Sequence, residues 1–146
     1  MNRETFAALL ARARTLDSGR FPPLPSLVSE PIIQALETTL GGRLPDDYRW
    51  FLETYNTEAF GSAILLSALP TAPDFILRRK EEGAAYFPPD FVPISEDGCG
   101  NSAGLLLLGG MLTERVWNWV HDTGELFLAH PTVLDHIADQ AFQDLE

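Results

Sequence analysis

The spacing of apolar residues changes once along this chain, and that change limits its fold more than any other feature of the sequence. Before residue 56, apolar residues recur every three or four positions, which is the spacing of amphipathic helices. From Gly61 onward they fall in short runs bounded by glycine and proline, which is typical of strands. A helical spacing returns after Thr132. Helices, then strands, then a helix predict an α+β fold.

The first part of the chain contains three segments with the helical spacing: 3–17, the stretch from Ser29 to Gly41, and 45–55. The third has the clearest start, because proline is tolerated in a first turn and the helix dipole favours acids there. Pro45 is followed by Asp46 and Asp47. These signals predict three helices ahead of the strands.

The second part contains five stretches of strand character: 63–69, 91–94, 104–108, 115–120 and 125–129. Residues 74–85 are expected to form a short helix or an irregular turn. The connections between the last four strands are short, which favours an antiparallel meander. Thr132 is a typical helix cap, so a last helix is expected from Val133 to Phe142.

The second half of the chain carries most of the net charge. The whole chain has 10 basic and 21 acidic residues, a formal net charge of −11. Residues 1–87 hold 11 acids and 9 bases, a net −2, whereas residues 88–146 hold 10 acids and only Arg115, a net −9. An acidic surface repels nucleic-acid phosphates and attracts basic proteins. We therefore expect a basic protein partner and no direct contact with nucleic acid, although acidity also serves solubility.

The cysteine content and the apolar runs indicate a compartment. Cys99 is the only cysteine, which excludes an intrachain disulfide and favours a reducing environment. The purest apolar run extends only from Leu105 to Leu108, far short of the roughly 20 residues that a spanning helix needs. The sequence therefore predicts a cytoplasmic protein without a membrane span. A length near ~150 residues is that of one domain, so residues 1–146 are expected to form a single domain.

The sequence offers little support for catalysis or metal binding. Cys99 lies between Gly98 and Gly100, but the neighbouring acids disfavour the thiolate that a nucleophile requires. None of the three histidines has a partner at a recognised metal-binding spacing. We therefore predict no catalytic residue, no metal and no cofactor, and expect that the protein is not an enzyme.

Two tryptophans in the fourth of these stretches leave two roles open. Trp117 and Trp119 are two positions apart, so they are expected on the same side of a strand. Both can shield the core. Alternatively, one of them is an exposed anchor for a partner, because aromatic residues are over-represented among interface hot spots.

Several short motifs follow one another in a characteristic order. The run Leu-Gly-Gly-Arg-Leu-Pro-Asp-Asp-Tyr occupies 40–48, and Phe-Val-Pro-Ile occupies 91–94. Asp-Gly and Gly-Asn pairs follow within 97–101, and a His-Asp pair at 121–122 precedes the last helix. In this order, over about residues 29–142, the chain resembles the SUKH superfamily, which includes a yeast cell-wall-synthesis regulator and many bacterial immunity proteins. The first helix lies ahead of the resemblance.

The resemblance implies a twisted antiparallel sheet flanked by N-terminal helices and a C-terminal helix, and it implies binding without catalysis. Bacterial relatives often neutralise a toxin, frequently a nuclease, and a nuclease surface is basic because it holds phosphate. We therefore expect an immunity protein that binds a basic toxin domain through its acidic half. The alternative is a regulatory adaptor that binds a signalling or cell-wall-synthesis protein. The partner-binding residues are predicted to be Glu96, Asp97, Asn101, Asp122 and Glu125.

Overall fold

The computed structural model describes residues 1–143 and residue 145, and within them five helices and six strands form. The helices are α1 (Arg3–Leu16), α2 (Glu30–Leu40), α3 (Asp46–Thr54), α4 (Ile76–Glu82) and α5 (Val133–Phe142). The strands are β1 (Ile64–Leu65), β2 (Phe91–Glu96), β3 (Ser102–Leu108), β4 (Met111–Leu112), β5 (Val116–Trp119) and β6 (Leu126–His130). This order confirms the α+β fold.

Local capping explains where several helices begin and end. The Asn2 side chain accepts a hydrogen bond from the backbone amide of Thr5 at 2.8 Å, which starts α1. Thr132 does the same for α5 by accepting from the amide of Asp135 at 3.2 Å. Gly41 ends α2 in the left-handed conformation, with φ of 79°. A side-chain oxygen satisfies an amide that the helix leaves free, and glycine adopts positive φ without steric cost.

The strands form one antiparallel sheet in the order β1-β2-β3-β5-β6, and β4 pairs with β3 outside this path. Glu96 pairs with Ser102 across the β2–β3 hairpin. Ser102 also pairs with Trp119, which aligns β3 with β5. Asn118 pairs with Phe127 in the last hairpin. The predicted antiparallel meander is therefore confirmed, and β6 is an edge strand.

One face of the sheet carries the main hydrophobic core. Leu105 of β3 is fully buried there, together with Phe6 of α1, Ile33 of α2, Phe51 of α3 and Leu134 of α5. Phe6 contacts several aromatic rings, with its centroid 5.7 Å from that of Phe51 in an edge-to-face arrangement. The N-terminal helix and the C-terminal helix thus meet in one core, as amphipathic helices do when their apolar faces converge.

The opposite face is only partly covered. A small aromatic cluster of Phe87, Phe91 and Trp119 packs beside α4. The centroid of Trp119 lies 4.9 Å from that of Phe87. Trp117 pairs with Gly104 on this same face, so the prediction that the two tryptophans share a side is confirmed. They differ in burial, because Trp119 is 4% exposed and Trp117 is half-buried.

Two stretches of the sheet differ from the sequence-based expectation. The strand expected over 63–69 is limited to Ile64 and Leu65, with one further hydrogen bond from the amide of Leu66 to the carbonyl of Ile94, because the backbone then turns toward the start of α4. There the amide of Ser67 donates to the carbonyl of Asp74 at 2.8 Å. The short strand β4 was not expected, and it follows a turn in which Gly109 and Gly110 both have positive φ. Two successive residues with positive φ are the mark of a tight hairpin.

Candidate protein-binding surface

The five predicted partner-binding residues lie at one end of the sheet. Residues 97–101 connect β2 to β3, and residues 120–125 connect β5 to β6. Because β3 and β5 are adjacent and antiparallel, the start of β3 lies beside the end of β5 and the two connections meet there. The sequence did not indicate that the two connections meet, since they are about 20 positions apart along the chain. We name the two connections together the hairpin end.

Asp97 holds the first connection in shape. Its Oδ1 accepts hydrogen bonds from the backbone amides of Cys99 at 2.7 Å and Asn101 at 3.1 Å. Its Oδ2 accepts from the side-chain amide of Asn101 at 2.8 Å. Partial burial opposes ionisation, but these bonds outweigh it and hold the pKa of Asp97 below its ordinary value. Asp97 is therefore a charged residue that organises its own loop.

Asn101 joins the two connections. Its Oδ1 lies 3.1 Å from the backbone nitrogen of His121, which donates to it, and 2.8 Å from Nδ1 of the same ring. Gly100 lies under that ring, since a Cβ at this position would come within 3.0 Å of His121 Nδ1. The asparagine carbonyl and the close approach at Gly100 fix the relative position of the loops.

The remaining predicted residues differ in how free their carboxylates are. Glu96 faces α4, where its Oε1 lies 3.4 Å from Nε of Arg79, and both side chains are less than one third exposed. Asp122 is 79% exposed, and its Oδ1 lies 3.0 Å from Nε2 of His121. Glu125 is exposed, and its backbone carbonyl accepts from the amide of Val120 at 3.0 Å. Asp122 and Glu125 thus offer the most accessible carboxylates of the predicted set.

A polar network that sequence reasoning missed runs from the buried side chains of Ser95 and His136 to the surface. Ser95 Oγ lies 2.8 Å from Nε2 of His136, whose Nδ1 lies 2.9 Å from Nδ1 of His130. Nε2 of His130 lies 3.2 Å from Oδ2 of Asp139. An ionised carboxylate such as Asp139 only accepts hydrogen bonds. With both rings neutral, the Ser95 hydroxyl therefore donates to Nε2 of His136, Nδ1 of His136 donates to Nδ1 of His130, and Nε2 of His130 donates to Asp139. Burial, and then the neighbouring His130, lower the pKa of His136 to about 4.

The cysteine and the glycines beside it lie on the first connection of the hairpin end. Cys99 is exposed on its loop, with Gly98 and Gly100 at φ of 80° and 97° on either side. Positive φ suits glycine, so the two residues allow the tight connection between β2 and β3. Among the described residues, no group of three or more His, Cys, Asp or Glu side chains is placed to hold a metal ion.

The partly covered face presents apolar side chains that sequence reasoning did not single out. Leu108 and Met111 pair across the β3–β4 turn and are 56% and 58% exposed. With Trp117 they line an open groove of about 890 Å³. Leu128 of the edge strand β6 pairs with Trp117 and is 54% exposed on this face, and its neighbour Phe127 is 51% exposed on the opposite face. A pattern of alternation predicts a strand, but it does not show which face a neighbouring element will cover.

A second cavity, of about 440 Å³, lies away from the hairpin end, between α3 and the segment that leads to α4. Leu27, Tyr55 and Asn56 contribute to its lining. It contains none of the five predicted partner-binding residues. None of the described helices has both the length and the hydropathy needed to cross a bilayer.

Comparison with known proteins agrees with this architecture. The fold is similar to that of a protein from Pseudomonas syringae pv. tomato, known from a crystal structure, with a TM-score of 0.63. The two share 20% sequence identity, and the match covers 91% of this chain and 95% of that chain. No curated protein matches the sequence significantly. The family model of the SMI1 / KNR4 family (SUKH-1) matches residues 27–139, so the chain belongs to that family, as its sequence motifs predicted.

Proposed function

We propose that this protein is an immunity protein, which neutralises a cognate bacterial toxin by stoichiometric binding of a basic toxin domain to its hairpin end. The observation that carries the proposal is the placement of exposed carboxylates on two loops that are tied together. Membership of the SMI1 / KNR4 family supports a binding domain rather than an enzyme. No bond is made or broken in this function.

Electrostatics supports a basic partner. Residues 88–146 have a formal net charge of −9 against −2 for residues 1–87. Asp122 at the hairpin end has a side chain that is 79% exposed, and Asp139, beside the last residue of β6, has one that is 63% exposed. Complementary charge raises the association rate and selects among partners more than it raises final affinity. A nuclease, which carries a basic surface to hold phosphate, is the toxin class that this charge favours.

Loop rigidity supports a binding role for the same residues. Asp97 and Asn101 are held by hydrogen bonds within and between the loops, so little conformational entropy is lost when a partner orders them. Asp122 and Glu125 lie on the second connection, next to His121, which contacts Asn101. Asp97 and Asn101 therefore position the surface, and Asp122 and Glu125 supply carboxylates to lysine and arginine side chains of the toxin.

The test is co-expression with the toxin domain encoded by the neighbouring reading frame. Growth of the host and a one-to-one complex in size-exclusion chromatography with light scattering are the expected results. The double variant Asp122→Asn/Glu125→Gln should slow association and reduce its dependence on salt concentration, because it removes two rim charges. The matched control Glu4→Gln/Glu58→Gln removes two exposed acids from the first half of the chain. It should leave the association rate and its salt dependence unchanged.

Persistent toxicity without a complex would contradict the toxin-neutralising role for that neighbour. Equal loss of binding in the control double variant would show that net charge acts without a defined surface. If pull-down instead recovers several signalling or cell-wall-synthesis proteins in transient association, the adaptor function replaces the immunity function.

A further inference from the structure

The strand β6 ends the sheet, and its free edge is open. No described backbone group other than those of β5 is hydrogen-bonded to residues 126–130. Phe127 and Leu128 are 51% and 54% exposed, and they point to opposite faces of the sheet because they are adjacent in a strand. Both faces beside the open edge therefore present an apolar side chain.

The ladder shows which backbone groups of β6 point outward. The amide of Val120 donates to the carbonyl of Glu125, so these two residues form a hydrogen-bonded pair. Hydrogen-bonded and non-hydrogen-bonded pairs alternate along an antiparallel ladder, which makes Asn118 and Phe127 the next hydrogen-bonded pair. The amides and carbonyls of Leu126 and Leu128 therefore point away from β5, toward solvent.

Soluble proteins usually protect such an edge. They place lysine or proline in the strand, shorten it, twist it with a bulge or cover it. β6 has the sequence Leu-Phe-Leu-Ala-His, without lysine or proline, and is five residues long. The register shift that is described for the β5–β6 pair lies at the His130 end, between Val116 and Trp117 of the paired strand. The opposite edge of the sheet, β1, has only two residues. Residues 126–128 thus form an open part of the sheet boundary with regular pairing on the other side.

We propose that the edge of β6 binds an extended segment of a basic protein, which adds to the sheet as a further strand. The proposal rests on the protein-binding function proposed above and names the element that forms the contact. Backbone groups of Leu126 and Leu128 hydrogen-bond to the added strand, and its apolar side chains pack beside Leu128 on one face and Phe127 on the other.

Charge decides the chemistry of that segment. Glu125 precedes the strand, Asp122 lies in the turn before it, and Asp139 contacts its last residue, His130. The segment that fits has basic side chains at both ends and apolar ones between them. Arg115 is the only base in residues 88–146, and because Val116 pairs with His130 it lies beside the end of β6 and away from Asp122 and Glu125.

A second copy of this chain fits the edge poorly. In a symmetric antiparallel pairing the start of one β6 lies against the end of the other. Glu125 of one copy would then approach Asp139 of the other, and each copy carries a formal charge of −11. Like charges in such a contact are unfavourable, whereas lysine or arginine there is favourable.

The experiment uses a capped peptide with two lysines at each end and a run of valines between them as the probe, so that apolar side chains lie on both faces of the added strand. Titration should protect the backbone amides of Leu126 and Leu128 from hydrogen exchange, as followed residue by residue by NMR, while the amide of Phe127 changes little. The same peptide with glutamate in place of each lysine is the control and should not bind. Protection in the unmodified protein is independent of whether any variant folds.

Two substitutions at one position separate backbone pairing from side-chain contact. Leu128→Pro removes an outward amide, which an edge strand tolerates, and should weaken peptide binding about tenfold. Leu128→Thr keeps the amide and suits a strand, so it should weaken binding only about threefold. Leu16→Thr is the control for the loss of an exposed apolar side chain, because Leu16 lies on α1 and is 48% exposed.

The outcomes separate this inference from the proposed function. A complex with the toxin domain that leaves Leu126 and Leu128 unprotected, or a peptide that does not bind, overturns the role of the β6 edge and leaves the immunity function standing. Protected amides in a dimer at high protein concentration would make a second copy the occupant and overturn the proposal. Peptide binding at β6 with undiminished toxicity would retain the edge site and remove the immunity function.

Discussion

The two faces of the sheet differ in how much of their apolar surface is covered, and β3 contributes residues to both. Leu105 points into the main core and is fully buried, whereas Leu108 on the other face is 56% exposed. Residues from α1, α2, α3 and α5 cover the first face. The second face has a small aromatic cluster beside α4 and then open apolar surface. We infer that the first face supplies most of the stability, and that the second, with the β6 edge, is free for contacts with other molecules.

The strongest test of this difference is a pair of identical substitutions on β3. Leu105→Ala should lower the free energy of unfolding by about 4 kcal/mol, because it removes buried methyl groups and leaves a cavity. Leu108→Ala should change it by less than about 0.5 kcal/mol, since its side chain is largely in water already. Urea denaturation followed by circular dichroism measures both. Equal losses would mean that the two faces contribute alike.

The pH dependence of stability tests the polar network at the edge of the covered face. Burial lowers the pKa of His136 from 6.5 to about 4 in the folded protein, whereas the unfolded chain takes up the proton at the ordinary value. The unfolded state therefore binds more protons between these values, and stability falls as pH drops through that window. The loss from this group is on the order of 3 kcal/mol and is absent above the window.

The control for this effect is His136→Gln, which keeps a hydrogen-bonding side chain but cannot take up the proton. Its stability at neutral pH is expected to be lower, because Gln reproduces the bonds to Ser95 and His130 only in part. The slope between pH 6.5 and pH 4 should become shallower than in the unmodified protein. A slope that stays the same would place the titrating group elsewhere.

The tightness of the aromatic cluster on the second face is tested by Gly104→Ala. A Cβ at Gly104 would come within 2.2 Å of the backbone oxygen of Val92 and 2.7 Å of the Phe91 ring. A backbone atom cannot move aside as a flexible side chain does, so a loss of about 1–3 kcal/mol is expected. Thermal unfolding measures it. Gly19→Ala, where the nearest atom is 3.7 Å away on a side chain, is the control and should cost little.

The smallest effect is expected at the hairpin end. Asp97→Ala should cost about 1 kcal/mol, because it leaves the amides of Cys99 and Asn101 without an acceptor in the loop. Asp97→Asn keeps an oxygen at the same place and should cost less. Asp122→Ala should stay within about 0.5 kcal/mol, as is usual for an exposed residue. Chemical denaturation ranks the three, and the reverse order would mean that Asp97 is not the organiser of its loop.

Much of the fold could be predicted because it depends on local chemistry. The helix of Asp46–Thr54 begins one residue after Pro45, and α5 begins directly after its cap Thr132, since capping and dipole effects act within a turn. The strands over 91–96 and 102–108 appear where apolar runs predicted them. The strand expected over 63–69 was too long, because a tertiary contact between Ser67 and the segment before α4 ended its pairing.

The candidate site was only partly predictable, since its chemistry depends on which residues meet. Sequence motifs indicated the five polar residues, and the structure brings their loops together. In the structure Glu96 forms an ion pair with Arg79, and Asp97 accepts hydrogen bonds from its own loop. The link from Asn101 to His121 and the network from Ser95 to Asp139 join residues far apart in the chain. No local pattern encodes such pairings.

The sequence by itself determined the order of helices and strands, the turns, the family and the acidity of the second half. Spacing, capping and charge act over a few neighbouring residues, so they can be read along the chain. Only the tertiary structure decided which strand lies at the edge, which face of the sheet stays open, and which carboxylates remain free. These depend on strand register and on long-range packing, where side chains alternate between two faces and the neighbours of each face come from distant segments.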